Sequence, residues 1–131
     1  MRLPLGMGHV DMKASVEKLL GDNGHADVKV EYGEENFNFD PHYTDPWSPF
    51  AQLVKREVTE VTGHEPVFQI TYPGGDIRYI RFRGIPGIIF GPRPFAVGGF
   101  NEFVRTNDVL VTAKVHGLTL FDFLSGKGVA R

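Results

Sequence analysis

The 131 residues carry a formal net charge of -2, no cysteine and 41% hydrophobic content. That is enough for one compact domain or for small pieces of larger ones, and too little for most complete two-domain enzymes. The near balance of 14 Lys and Arg against 16 Asp and Glu, with no basic run interleaved with aromatics, excludes a phosphate-tracking nucleic-acid surface, and no apolar run is long enough to span a bilayer. Without thiols there is no disulfide framework or thiolate metal site, and with no signal-peptide core near Met1 the expected compartment is the cytoplasm.

Arg2 to Leu5 reads as a short strand, closed by Gly6 and Gly8. Met12, Val16, Leu19 and Leu20 recur at helical spacing, which predicts a helix over 11–20 with Gly21 at its C-terminus. Val28, Val30 and Tyr32 alternate with Lys29 and Glu31, the period of a strand with one wet face. Together these make a β-α-β unit over residues 1–33.

Asn36, Asn38, Asp40, Pro41, Asp45, Pro46 and Pro49 then break any regular element, so 34–49 reads as a linker, with Trp47 available to anchor it. Phe50, Leu53, Val54, Val58 and Val61 form the apolar stripe of a helix that starts near Ser48, carries Pro49 in its first turn and stops at Gly63. Val67 to Tyr72 predicts a strand and Asp76 to Arg83 a short helix. Ile85 to Phe90, apolar without alternation, reads as a buried parallel strand. Thr106 or Asn107 then caps a last helix ending near Leu124, with Val111, Val115, Leu118 and Phe121 on one face and Leu110 and Leu124 beside it. Such alternation gives an α/β fold in which residues 50–131 are part of a mostly parallel sheet flanked by helices.

Four motifs stand in order within this region: Gly74-Gly75-Asp76-Ile77-Arg78, Gly84-Ile85-Pro86, Phe90-Gly91-Pro92 and Asn101-Glu102-Phe103-Val104. They resemble, in order and spacing, the C-terminal part of the zinc-dependent amidohydrolase and peptidase family that includes acetylornithine deacetylase, succinyl-diaminopimelate desuccinylase, aminoacylase and glutamate carboxypeptidase. Upstream, Arg2-Leu3-Pro4 resembles the strand late in that family's lid, or dimerisation, domain, so 1–33 would be a remnant of the lid and 50–131 the end of the catalytic domain.

The resemblance implies two zinc ions, a bridging aspartate, and a glutamate acting as general base on metal-bound water. Most of those ligands belong to the family's N-terminal half, to which nothing here corresponds. The one histidine ligand expected in this part would stand three residues before Asn101, where the chain has Gly98. None of His9, His25, His42, His64 and His116 lies in that loop, and no two have the i, i+4 spacing of a helical zinc pair. No metal site and no catalytic residue is therefore expected in this chain alone.

What the resemblance leaves is a substrate-binding set: Arg78 as a planar grip for a substrate carboxylate, with Gly74, Gly75, Asn101 and Glu102 lining the cleft. Arg78 reads equally as a surface arginine paired with Asp76 or Glu102. Asp76 reads as a carboxylate at a helix N-terminus, His9 as exposed, His64 as a structural residue after a helix end, and His116 as buried, neutral and hydrogen-bonded. The functional expectation is a truncated or split member of the family, made for hydrolysis of N-acyl amino acids or peptides but inactive alone. A homo-oligomer or a separately encoded N-terminal half is its expected partner. The alternative is a self-associating, non-catalytic binding module whose sheet edge and apolar helix faces drive assembly.

Overall fold

A computed structural model of the chain describes residues 3–31, 40–70 and 75–127. Two compact units divide at Tyr43/Thr44, inside the segment read as a linker. In the first, helix α1 spans His9–Asp22, two residues longer at each end than its apolar spacing predicts. Gly8 is its N-cap, and the Asp40 carboxylate accepts hydrogen bonds from the His9 backbone N–H (2.9 Å) and the His9 ring Nδ1 (2.8 Å). That backbone bond first, then the ring bond, holds the Asp40 carboxyl below its usual range. The helix ends on Asn23, whose backbone and side-chain N–H groups both reach the Leu19 carbonyl, and Gly24 rather than Gly21 takes the left-handed turn at φ 77°. Met12, Val16 and Leu20 are half-buried, while Leu19 points into solvent.

The second unit is built on helix α2, Pro49–Thr62, and helix α4, Thr106–Leu124, between which lie the short helix α3, Ile77–Arg81, and the strands β1, Pro94–Phe95, and β2, Phe103–Val104. The caps of α2 are those expected: Ser48 Oγ accepts from the Ala51 N–H, Pro49 occupies the first turn, and Gly63 at φ 71° closes the last. Ala51, Leu53, Val54, Glu57 and Val58 face inward, and α4 adds Val115 at 0% exposure. Val54, Val58 and Val115 pack together with Phe50, Val61, Ile88 and Phe90 around them, and the Phe50 and Phe123 rings meet edge to face at 5.8 Å.

Several expected elements take another form. Among the described residues the one sheet is the antiparallel pair β1 and β2, and 26–31, 67–70 and 85–90 make no strand. A parallel central strand needs hydrogen-bonding neighbours at both edges. Arg2, Tyr32, Thr71 and Tyr72 lie outside the described residues. Arg105, not Thr106 or Asn107, is the N-cap of α4, without a side-chain bond. On α4 the expected Val111, Val115 and Leu118 face inward, but Phe121, Leu110 and Leu124 are exposed, and Phe123 makes the aromatic contact instead. Trp47 is 79% exposed and anchors nothing, its backbone N–H bonding Asp45. No helix among the described residues is long and apolar enough to cross a membrane.

Candidate functional site

Two short segments carry the expected site residues. The first is α3 and its flanks. Asp76 occupies the N-cap position of α3, at the helix N-terminus as expected, but in an αR conformation and with no side-chain cap bond. The Gly75 carbonyl accepts the Arg78 N–H at 3.3 Å, and nothing lies within 4 Å of where a Cβ on Gly75 would sit. Gly74 lies outside the described residues. Arg78 is half-buried; its guanidinium lies over the Tyr79 ring at 4.8 Å and donates to the Tyr79 hydroxyl at 3.3 Å. Among the described residues it forms no ion pair with Asp76 or Glu102.

What fixes this segment is a residue set that the motifs did not single out. Arg81 Nε donates to Thr44 Oγ1 and to the Gly87 carbonyl, each at 3.1 Å, and Nη2 donates to the same carbonyl at 2.6 Å. Thr44 Oγ1 in turn donates to the Gly87 carbonyl (2.7 Å) and accepts from the Gly87 N–H (2.9 Å). Burial pushes the Arg81 guanidinium pKa down, a cost that the three neutral acceptor contacts partly offset. A Cβ at Gly87 would stand 2.8 Å from two Ile77 side-chain carbons, so glycine there lets the loop after α3 close back onto the helix. Thr44 comes from the segment read as a linker, 37 residues before Arg81, and no local spacing announces the partnership.

The second segment is the β1–β2 hairpin, whose connection carries Asn101 and Glu102. Pro94 pairs with Val104 and Phe95 with Phe103, and the two phenylalanine rings stack 4.9 Å apart at an interplanar angle of 7°. In the connection the Gly99 N–H bonds the Ala96 carbonyl, with Ala96 at φ 53° and Gly98 at φ 77°. Glu102 accepts from the Gly98 N–H at 3.2 Å, so its carboxylate serves the turn itself. Asn101 is exposed. No hydrogen bond or ion pair among the described residues joins Asn101 or Glu102 to Arg78.

Three of the five histidines make structural contacts. His9 is held by Asp40; His64 Nδ1 donates to the Thr62 carbonyl; His116 Nε2 donates to the Phe90 carbonyl at 3.1 Å but is exposed rather than buried. Among the described residues no three of His, Cys, Asp and Glu converge as metal ligands. Gly98 offers no donor atom, and its positive φ would strain any L residue placed there. The described residues do not fit a zinc centre.

The chain is 34% identical over 82 residues to a succinyl-diaminopimelate desuccinylase of Nitrosomonas europaea, a match covering 63% of this chain and 22% of that protein. It therefore spans about a fifth of the length of that curated relative. A distant relation to a deacylase and peptidase family follows. No known family profile matches the chain, and no solved structure is similar to it.

Proposed function

We propose that this chain is the C-terminal part of a split or truncated cytoplasmic member of the zinc-dependent amidohydrolase and peptidase family, without hydrolase activity of its own. The similarity to a desuccinylase carries the reading. Apolar segments of strand type support it: Val67 and Ile70, and Ile85 and Ile89, are each more than half exposed. Residues of this kind are ordinarily buried by sheet neighbours and covering helices. In the parallel sheet of the full fold they would gain both. Arg78 is then the carboxylate grip, with Gly74, Gly75, Asn101 and Glu102 near it, and a separately encoded N-terminal half supplies the metal ligands. No step through zinc is assigned to this chain, because its described residues bring no set of metal ligands together.

The purified chain, given zinc and an N-succinyl amino acid, is expected to release no succinate above the metal-free control. Zinc-dependent release would overturn the proposal.

A second reading is favoured by one observation: Phe100 is fully exposed, and Leu120, Phe121 and Leu124 present an apolar edge of α4 to solvent. Such a surface suits a self-associating, non-catalytic module. Sedimentation of the chain is then expected to show a concentration-dependent oligomer, and a monodisperse monomer with no apolar dye binding would rule this reading out.

A further inference from the structure

The hairpin holds a second group of cations, unrelated to Arg78. Its register, Pro94 with Val104 and Phe95 with Phe103, extended one residue outward, sets Arg93 opposite Arg105. Because strand side chains alternate, Arg93, Phe95, Phe103 and Arg105 share one face of the ribbon. Their contacts agree: the Arg93 and Arg105 guanidiniums lie over the same Phe95 ring, 5.3 and 4.8 Å from its centre, while Phe103 stacks parallel to it.

Like charges directly opposed across a ribbon destabilise it, and the ring contacts offset only part of that repulsion. Among the described residues no carboxylate forms an ion pair with either arginine. Phe103 on the same face remains about half exposed, so the cationic pair adjoins an apolar ring.

We infer that Arg93 and Arg105 form a carboxylate-binding clamp on the Phe95 platform, suited to a small organic acid whose apolar part lies along Phe103. A carboxylate between the two guanidiniums removes their repulsion and accepts charge-assisted hydrogen bonds from planar donors, while the aromatic surface takes up the acid's apolar part. The inference stands apart from the hydrolase reading, because it requires neither zinc nor a second chain.

The test is titration of the full chain, at fixed ionic strength, with hippurate and with its neutral amide, followed by amide chemical shifts. Hippurate is expected to shift Phe95, Phe103 and Arg105, and the neutral amide to leave them in place. The Arg93→Gln, Arg105→Gln double variant should bind hippurate about ten-fold more weakly, since it removes both charge-assisted donors. The Arg93→Lys, Arg105→Lys pair, which keeps the charge but loses the planar fork, should fall between. Lys18→Gln, an exposed cation on α1, should bind as the wild type does. Equal shifts with the neutral amide, unchanged binding by the double glutamine variant, or loss of binding in Lys18→Gln would each overturn the clamp.

Discussion

Val115→Asp is expected to unfold the unit of residues 44–131 at room temperature, whereas Leu124→Asp on the same helix should leave it folded. Val115 is completely buried, and it is the one residue of α4 that reaches full burial beside Val54 and Val58. Truncation to alanine alone removes two methyl-sized groups from a packed site, a loss of about 2 kcal/mol once the cavity is included. Aspartate adds an unpaired carboxylate in that place. The added penalty is several kcal/mol, on the scale of the whole stability of a small domain, about 5–15 kcal/mol. Leu124 is 75% exposed, so its replacement should change stability by no more than about 0.5 kcal/mol. Urea denaturation followed by helical circular dichroism measures all three variants. Equal midpoints for Val115→Asp and Leu124→Asp would show that the α2–α4 contact does not hold this unit together.

The helices were readable because their evidence is local. Ser48, Pro49 and Gly63 bound α2, and its apolar spacing lies within 14 residues. On α4 the same reasoning found the helix but chose Phe121 where Phe123 packs, since an apolar residue occurs at nearly every turn and only the partner, Phe50, decides which one is used. Strand prediction fared differently for a physical reason. An apolar run such as Ile85 to Phe90 records a tendency, but the ladder needs another strand, and among the described residues none pairs with it. The hairpin was overlooked although its signal was present: Phe95 and Phe103 flank a segment containing Gly98-Gly99, a legible turn. Arg78 was found from its motif. Thr44, Arg81 and Gly87, which hold the segment around it, were not, because their hydrogen bonds join residues up to 43 positions apart. Glu57 was missed as well, since a charged residue at 1% exposure contradicts the pattern from which helix faces are read.

That buried carboxylate sets the second expected result, destabilisation by Arg56→Ala of about 3 kcal/mol, the low end for an ion pair broken so as to leave a buried charge, because Arg56 itself is half in water. Arg56 reaches Glu57 through Nε at 2.9 Å and Nη2 at 2.7 Å, and the same Nη2 bonds Asp122 on α4 at 2.8 Å. The Glu57 hydrogen bond is the main reason the Arg56 guanidinium pKa is raised. Removing both charges, as in Arg56→Leu with Glu57→Leu, should cost less than Arg56→Ala alone, since no carboxylate is then left unpaired. A double variant as unstable as the single one would mean that Glu57 is not held by this pair.

The same network fixes a pH dependence. Asp122 is held below the usual carboxylate range, first by the Lys127 hydrogen bond and also by Arg56. A group whose folded pKa lies below its unfolded value contributes stability that is fully present above the unfolded value and is lost as pH falls through the folded one. Stability of the 44–131 unit should therefore decline on acidification below about pH 4, the ordinary range of an aspartate. The decline should be shallower in Asp122→Asn, which is less stable than the wild type at neutral pH but has no carboxylate there to protonate. Parallel acid profiles for the two proteins would place the acid sensitivity elsewhere.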